Sequence, residues 1–243
     1  MLELDRVVFF GRSWQDSLAM YGLDESELCN KKILDCPGGP GGVVAGALDR
    51  GHDITAADPL YALSQEELET IGRNDIESTL KLAESDPSLA TSPKETALFA
   101  KDKRDTLKHF LKAYKQAPSR FISGALPTLP FKDNTFDLVL SGHLLFVYAP
   151  LAKGGIMKND LFNLPFHIDA ARELIRVGKE VRIYPTYAFS GKIRRQPWVQ
   201  PVMEVLQNDG HAVDFVPSKW VQQGHTEYND CLRIIAGSNT PTK

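Results

Sequence analysis

The sequence predicts a doubly wound α/β domain, in which helices cover both faces of a mostly parallel sheet. The prediction rests on two short apolar segments, residues 31–35 and 53–58, which end on the carboxylates Asp35 and Asp58. A glycine-rich turn and a stretch of helical periodicity separate them, which is typical of a strand, a turn, a helix and a second strand. The carboxyl ends of parallel strands line the ligand crevice of such sheets, so we expect both carboxylates to face one crevice.

The turn between the two segments, residues 36–42, reads CPGGPGG. Its glycines let the backbone approach a ligand closely. Pro37 restricts Cys36 to the extended region, which ends the strand there. One helical face carries Val43, Val44, Ala47 and Leu48, and Gly51 stands where a helix C-cap glycine belongs.

The spacing of the two carboxylates indicates the class of cofactor. Asp58 lies 23 positions after Asp35, near the spacing of about 20 at which an acid reaches ribose hydroxyls in dinucleotide-binding folds. The alternative for Asp58 is a turn-forming role ahead of the next proline. A nicotinamide site requires G-x-G-x-x-G/A, whereas Gly39 and Gly41 are followed by Val44. The sequence therefore favours an adenosine cofactor without a pyrophosphate.

At three places the chain resembles the class I S-adenosylmethionine-dependent methyltransferases. Residues 33–41 are similar to their first motif, and residues 57–58 to the acidic end of their second strand. Residues 129–143, LPFKDNTFDLVLSGH, are similar to the LPF-x-D-x-x-FD-x-V-x-S segment of the small-molecule branch. Three further segments resemble a bacterial branch of that group: residues 9–12, 173–177 and 180–185. In all, the resemblance covers residues 31–61 and 120–236.

The resemblance implies a seven-stranded Rossmann-like sheet of order 3-2-1-4-5-7-6, with the seventh strand antiparallel. It also implies in-line methyl transfer from S-adenosylmethionine to a small-molecule acceptor, with S-adenosylhomocysteine as the product. The residues that it places at the cofactor are Asp35, Cys36, Pro37, Gly38, Gly39, Gly41, Asp58, Pro59, Tyr61, Ala125, Leu126, Ser141 and Gly142. For Tyr61, stacking on the adenine and packing in the core are both open.

Two positions depart from the pattern of these enzymes. Pro37 stands where a glycine is usual, and Ala125 stands where an acid commonly holds the adenine amino group. The backbone around Leu126 is the remaining source of that adenine contact. For Asp137, inside the fourth predicted strand, the resemblance implies a structural role.

Two residues are candidates for contact with the acceptor. Arg12 precedes the first strand, where the resembling enzymes often fold over the cofactor, and arginine forms bidentate pairs with carboxylates. We expect it to meet the cofactor carboxylate or an acidic substrate, or else to be a solvated surface residue. His143 ends the fourth strand at the crevice and suits proton removal near neutral pH. The alternative for His143 is a packed, hydrogen-bonded ring.

Residues 62–119 form a predicted helical insert, longer than the crossover helix that such folds need. Residues 64–67 match a capping box, and Asn74-Asp75 is expected to break the helix before Ser92-Pro93 starts another. Acids predominate in residues 62–92 and bases in residues 101–120. This charge split indicates either a basic docking face or a helical hairpin whose halves attract each other. We expect the insert to lie above the crevice as a lid.

The whole chain of 243 residues is expected to form this one domain, because no internal repeat or linker composition divides it. With 42% hydrophobic and 24% charged residues and a net charge of −3, it reads as an ordinary globular protein without a general attraction for nucleic acid or membranes. It shows no signal peptide and no membrane-spanning run. Three scattered cysteines without metal-ligand spacing indicate a reducing, cytoplasmic location and no metal site.

Three functions follow in order of preference. The first is methyl transfer to an unidentified small molecule, since the chain has neither the N/D-P-P-Y/F motif of amino methylation in nucleic acids nor a Pro-Cys or Thr-Cys dipeptide for cytosine chemistry. The second is a cofactor-binding module without turnover, which Pro37 and Ala125 favour. The third is a nucleic-acid methyltransferase that uses the basic helix, although the aromatic residues among its bases, Phe110 and Tyr114, fall on the predicted apolar face of that helix and not among the exposed bases. The oligomeric state is not indicated by the sequence.

Overall fold

A computed structural model describes residues 3–85, 93–189, 194–220 and 227–237. Its centre is one seven-stranded sheet of order β3-β2-β1-β4-β5-β7-β6. The strands, in chain order, are β1 (Lys32–Asp35), β2 (Asp53–Asp58), β3 (Phe121–Ser123), β4 (Phe136–Gly142), β5 (Gly178–Tyr184), β6 (Ala212–Pro217) and β7 (Asp230–Ile235).

The direction of the strands confirms the predicted topology. The first five strands pair in parallel, and β7 runs antiparallel to both β5 and β6. In the register of β1 with β2, Asp35 pairs with Ala56, so the carboxyl ends of both strands reach the same edge. Parallel strands buried on both faces consist of near-continuous apolar runs, and β1 and β4 have that composition.

Six α-helices lie on the two faces of this sheet. They are α1 (Trp14–Met20), α2 (Val43–Arg50), α3 (Gln65–Ser85), α4 (Pro93–Gln116), α5 (Leu164–Val177) and α6 (Val199–Asn208). Helices α1 to α4 contribute to a core on one face, which includes Trp14, Val44, Leu68 and Phe110. Helices α5 and α6 contribute to a second core on the other face. The sheet is therefore covered on both sides, as a doubly wound fold requires.

The first helices begin and end where their sequences indicate. Residues 13–16 predict a helix start with Ser13 as its N-cap, and the Ser13 side chain indeed accepts a hydrogen bond from Asp16 N and caps α1. Gly51 adopts a left-handed conformation with a φ of 75° at the end of α2, which confirms its C-cap role. The sequence predicts a helix from Phe166 to Val177, and proline in the first turn with an Asn163 cap starts α5 two residues earlier, at Leu164.

The insert is a helical hairpin of α3 and α4. The capping box is confirmed, because Ser64 and Glu67 exchange backbone-to-side-chain hydrogen bonds of 2.8 and 3.3 Å. An ion pair of 2.7 Å between Arg104 and Glu77 joins the two helices, as the hairpin interpretation of the charge split predicts. The start of α4 at Pro93 matches the prediction, whereas Ser92 lies outside the described residues.

The expected helix break at Asn74-Asp75 is wrong, since α3 continues through it to Ser85. Asp75 is a buried side chain instead of a helix cap. Its Oδ2 accepts a hydrogen bond of 2.7 Å from Phe9 N, and its carboxylate also pairs with Arg6. Because the Asp75 side chain bonds to distant residues, it does not compete for the hydrogen bonds of the helix backbone.

Asp137 has the structural role that the resemblance implies. Its Oδ2 accepts a hydrogen bond of 2.9 Å from Lys32 N, and its Oδ1 pairs with Lys179 Nζ at 2.7 Å. These contacts tie β4 to the beginnings of its two neighbours, β1 and β5. The sequence also predicts a turn at residues 224–227 and a frayed tail at residues 237–243, and both ranges fall mostly outside the described residues.

The segment after β4 is held by a buried histidine of α5. His167 Nε2 accepts a hydrogen bond of 2.8 Å from Phe146 N, and its Nδ1 lies 2.9 Å from Asn163 O. The ring is completely buried, and this burial lowers the pKa of His167 to about 4. The imidazole is therefore neutral and bonded through both nitrogens, with Nδ1 as the donor.

This histidine predicts a defined acid sensitivity. The pKa of His167 is about 4 in the folded chain and about 6.5 in an unfolded one. Its stabilising contribution is thus complete above pH 6.5 and is lost as the pH falls toward 4, by about 3 kcal/mol. We expect the difference in free energy of unfolding between the wild type and His167→Gln to shrink by that amount from pH 7 to pH 4. Urea denaturation of both proteins measures it, and a constant difference would contradict the assignment.

Candidate ligand site at the carboxyl edge of the sheet

Two carboxylates lie side by side at the ends of β1 and β2. Asp35 and Asp58 expose only 6% and 7% of their surface. Asp58 Oδ2 accepts a hydrogen bond of 3.0 Å from Gly39 N, and its Oδ1 accepts one of 2.9 Å from Leu60 N. The second bond is the turn-forming role that the sequence left open. It leaves the other lone pairs of both carboxylate oxygens for a ligand.

Burial makes the ionised form of both carboxylates less favourable. Burial raises the pKa of Asp58 to about 6, against the effect of its two backbone hydrogen bonds. Burial and the neighbouring Asp58 charge raise the pKa of Asp35 well above its usual range. Among the described residues, the Asp35 carboxylate has no hydrogen-bond or ion-pair partner. A buried acid in that state is typical of a functional site, where a ligand cation or donor completes it.

The glycine-rich turn is fixed by hydrogen bonds to three parts of the chain. Gly38 N donates to Ala57 O of β2 at 2.9 Å, and Gly42 N donates to Arg12 O at 2.8 Å. Tyr61 Oη donates to Gly39 O at 2.6 Å. Backbone groups of the turn are thus bonded to other parts of the protein, and these bonds fix the shape of the turn.

Tyr61 lies beneath this turn and packs in the core. Its ring stacks on Phe110 at a centroid distance of 5.9 Å and meets Phe121 edge-on at 5.4 Å. Tyr114 donates hydrogen bonds to the backbone around it, which helps to fix its position. The packing role of Tyr61 is thus observed. Pro59 begins the single helical turn that carries Tyr61 away from Asp58.

The other predicted cofactor residues lie around the same edge. Cys36 is buried, and its N donates to Leu140 O at 2.9 Å, which joins the turn to β4. Pro37 follows Cys36 through a cis peptide bond. Ser141 is fully buried at the end of β4, and its Oγ has no hydrogen-bond partner among the described residues. At Gly142, an added Cβ would lie 2.6 Å from Tyr21 Oη, so this position admits only glycine without rearrangement.

Ala125 and Leu126 follow β3 in a tight turn that Thr128 N closes on Ala125 O at 3.0 Å. Gly124 N donates to Asp58 O at 3.3 Å, which brings this turn to the Asp58 side of the edge. Ala125 is exposed, and Leu126 is half-buried between two apolar clusters.

The N-terminal segment covers the glycine-rich turn. A Cβ at Gly11 would lie 2.2 Å from Pro40 O, so the two backbones touch. Arg12 follows, and its guanidinium carbon lies 5.5 Å from the Phe10 ring centre and 5.4 Å from that of Trp220. Each such cation–π contact stabilises by about 0.5–2 kcal/mol. Arg12 is therefore half-buried against two aromatic rings and is not a fully solvated surface residue.

The surroundings of Arg12 lack an acid in contact. No carboxylate of the described residues lies within 4.0 Å of its guanidinium, and its buried Nε has no hydrogen-bond partner among them. Burial lowers the pKa of Arg12, although Asp16 and Asp102 oppose this from a greater distance. Arg12 Nη2 lies 3.5 Å from His143 Nε2, which joins the two candidate acceptor contacts in one place.

His143 lies in an aromatic corner at the end of β4. Its ring centre is 5.6 Å from Tyr184, 6.2 Å from Phe189 and 6.1 Å from Trp220. The backbone is positioned by His143 N, which donates to Tyr184 O at 2.8 Å, and φ is 58°. Strained backbone of this kind concentrates at functional sites. The His143 ring is thus packed among aromatic rings, and it also lies next to Arg12. Packing of the ring and a role in proton removal are therefore compatible.

Lys103 of α4 lies at the same site as Arg12, and the sequence alone did not single it out. The residue is only 4% exposed, and its Nζ lies 5.4 Å from the Phe10 ring centre and 5.3 Å from that of Phe99. A signal was available, because Lys103 precedes Leu107 and Phe110 by four and seven positions on the apolar face of α4. A lysine in an apolar helical stripe indicates either a buried ion pair or a ligand contact.

Other kinds of site find no support in the part of the chain that the structure describes. Within residues 3–85, 93–189, 194–220 and 227–237, no group of three or more metal-ligating side chains comes together. No helix in those ranges is long and apolar enough to cross a membrane. All three cysteines are free thiols.

The strand order and the buried acids at the carboxyl edge define a protein with a methyltransferase-like Rossmann fold. The chain belongs to the family of the uncharacterized protein MJ0045 of Methanocaldococcus jannaschii. The two are 30% identical over 194 residues, which is 79% of this chain and 83% of that protein. No protein-family model matches the chain.

Among solved structures, the chain is similar to the PH0226 protein of Pyrococcus horikoshii OT3. The TM-score is 0.39 at 16% sequence identity, over 85% of this chain and 82% of the other. The fold assignment follows from the strand order and register of the chain itself.

The packing of Tyr61 against the turn is testable at Gly38. A Cβ on Gly38 would lie 2.5 Å from Tyr61 Oη and 2.7 Å from Ala56 Cβ. We expect Gly38→Ala to lower the free energy of unfolding by about 1–3 kcal/mol, the usual cost of overpacking, as measured by urea denaturation. In the Tyr61→Phe background, where the nearest obstructing atom is gone, the cost should be smaller. Strict additivity of the two substitutions would contradict the contact.

Proposed function

We propose that this protein transfers a methyl group from S-adenosylmethionine to a small-molecule acceptor. The observation that carries the proposal is the pair of buried carboxylates, Asp35 and Asp58, beside a glycine-rich turn at the carboxyl edge of a methyltransferase-like sheet. Ligands of open α/β sheets bind at this edge. The family relationship and the fold are both compatible with methyl transfer, and neither of them identifies the acceptor.

The donor set suits an adenosine cofactor that carries a positive charge. In the proposal, Asp58 accepts hydrogen bonds from the ribose hydroxyls through the lone pairs that Gly39 and Leu60 leave. Asp35, which has no partner among the described residues, would face the ammonium or sulfonium charge of the cofactor. A buried carboxylate gains most from a cation of this kind, because their attraction is strong where water is excluded. The glycines of the turn have no side chains, so the cofactor can approach the backbone of the turn closely.

When bound, S-adenosylmethionine supplies an already activated methyl group, and the chain mainly has to orient the acceptor. Orientation alone accounts for about 7–11 kcal/mol of a barrier in well-aligned systems. His143 is assigned the removal of a proton from the acceptor at Nε2, if the acceptor atom carries one, after Arg12 Nη2 has turned from that nitrogen to the acceptor. Arg12, 3.5 Å from that nitrogen, positions the acceptor. The aromatic rings around both side chains limit their exposure to water.

The helical insert is proposed to act as a lid on the acceptor side. Phe99 of α4 stacks on Phe10 at 5.8 Å, and Lys103 lies over the same ring. The contact joins the insert to the N-terminal segment, which itself covers the glycine-rich turn. Movement of α4 away from Phe10 would open the path to Arg12 and His143.

A cofactor-binding module without turnover is the second candidate. It is favoured by the turn, whose Gly38, Gly39 and Gly42 amides already donate to the protein, and by Ala125, which offers no acid to an adenine. Methylation of nucleic acid has less support. Lys101 and Arg104 of the basic helix are paired with Asp105 and Glu77, so part of its charge is already neutralised.

The experiment that tests the proposal is isothermal titration with S-adenosylmethionine and, separately, S-adenosylhomocysteine. We expect both to bind the wild type and Asp58→Ala to weaken binding at least tenfold, because charge-assisted hydrogen bonds to the ribose are lost. Asp53→Ala is the matched control, since Asp53 starts the same strand at the opposite edge, where it pairs with Arg120. Its affinity should equal that of the wild type.

Thermal unfolding of both variants establishes that the fold is retained. Unchanged affinity in a folded Asp58→Ala protein would remove the crevice assignment, and absence of binding to the wild type would remove the proposed function. If both ligands bind but a panel of small acceptors yields no methylated product, the binding module becomes the better description.

A further inference from the structure

A cluster of two cations and three aromatic rings lies between the N-terminal segment, the insert and the region after β6. We call it the Arg12 cluster, and it consists of Phe10, Arg12, Phe99, Lys103 and Trp220. Arg12 and Lys103 share the Phe10 ring, at 5.5 and 5.4 Å from its centre. Trp220 and Phe99 close the outer sides, at 5.4 Å from Arg12 and 5.3 Å from Lys103.

The two cations differ in their partners. Lys103 Nζ pairs with Asp102 at 2.7 Å, which neutralises it. For Arg12, no carboxylate of the described residues lies within 4.0 Å, and its buried Nε lacks a hydrogen-bond partner among them. Asp16 and Asp102 act on Arg12 only over a longer distance. The cluster therefore has one guanidinium whose charge is not matched by an acid in contact.

This guanidinium lies where the acceptor would bind. The Arg12 backbone is fixed to the glycine-rich turn through Gly42 N, and its Nη2 lies 3.5 Å from His143 Nε2 at the end of β4. The side chain thus reaches from the end of β1 toward the end of β4, across the carboxyl edge. Its neighbours are aromatic faces, which bind flat apolar groups well.

We propose that the acceptor carries a carboxylate on a planar apolar body, and that Arg12 binds this carboxylate between the rings of Phe10 and Trp220. The inference rests on the proposed function and specifies its substrate class. The planar fork of a guanidinium matches a carboxylate bidentately. A single negative charge balances the one unmatched cation. A doubly charged phosphate would require a second one, and here Lys103 is already paired and Asp16 and Asp102 lie nearby.

The first test compares aromatic acids with their neutral amides. Benzoate and 2-naphthoate are titrated against benzamide and 2-naphthamide, with binding followed by calorimetry or saturation-transfer NMR, in the presence and absence of S-adenosylhomocysteine. We expect each acid to bind at least tenfold more tightly than its amide. Equal affinity of acids and amides, or absence of acid binding, overturns the proposal. Tighter binding of phenyl phosphate than of benzoate overturns the choice of carboxylate.

The second test locates the charge. Arg12→Gln should weaken binding of the acids at least tenfold, and Arg12→Lys, which keeps the charge but not the fork, should weaken it less. Arg50→Gln is the matched control, since Arg50 lies 5.2 Å from the Trp14 ring but pairs with Glu25. It should bind as the wild type does. Unchanged acid binding in either folded Arg12 variant overturns the assignment.

The third test separates the acceptor from the cofactor as the source of the carboxylate. S-adenosylhomocysteine has a carboxylate, and 5′-methylthioadenosine lacks it. If Arg12→Gln weakens the first ligand and leaves the second unchanged, Arg12 serves the cofactor and the proposal falls. We expect both affinities to stay within twofold of the wild type. Acid binding without any binding of S-adenosylhomocysteine would instead remove the proposed function and keep the anion site.

Discussion

The carboxylate of Asp58 is the constraint on which the carboxyl edge of the sheet depends. One buried side chain accepts hydrogen bonds from Gly39 N and Leu60 N. It thereby holds the glycine-rich turn before α2 and the turn after β2 in one arrangement. The charge is expensive to bury, since its pKa rises to about 6, yet the two backbone donors keep it in place. Tyr61 lies on the second turn and donates a hydrogen bond to Gly39 O, which joins the two turns a second time.

Opposite charges are buried on the two sides of this turn. The acids Asp35 and Asp58 lie below it at the ends of β1 and β2, and Arg12 lies on the N-terminal segment that covers it. Burial raises the pKa of the acids and lowers that of Arg12, so a ligand group of opposite charge would stabilise the ionised form of each of them. An acidic side suits a cationic cofactor, and a cationic aromatic side suits an anionic acceptor. In the proposal, the polarity of the crevice therefore orients both substrates.

The N-terminal segment connects these parts. Phe9 N is bonded to Asp75 of α3, Gly11 touches Pro40 of the turn, and Arg12 meets His143 after β4. Three regions that are far apart in the chain thus converge on a few residues ahead of the first strand. The insert contacts the same segment, because Phe10 also stacks on Phe99.

The sequence by itself determined the first strand-turn-helix-strand unit, the glycine-rich turn and the positions of the two carboxylates, because strand and helix periodicities and turn residues act over short stretches of chain. The order of the seven strands was implied by the resemblance of its motifs to a known family. The sequence also indicated Arg12 and His143. Only the tertiary structure decided what those residues touch. The sequence predicts a helix break at Asp75, whose partner Phe9 lies 66 positions away, and it does not indicate that Lys103 lies over the Phe10 ring. Spacing along the chain predicts which residues share a face. It carries no information on which distant element covers that face, and this decides whether a charge is buried, paired or left for a ligand.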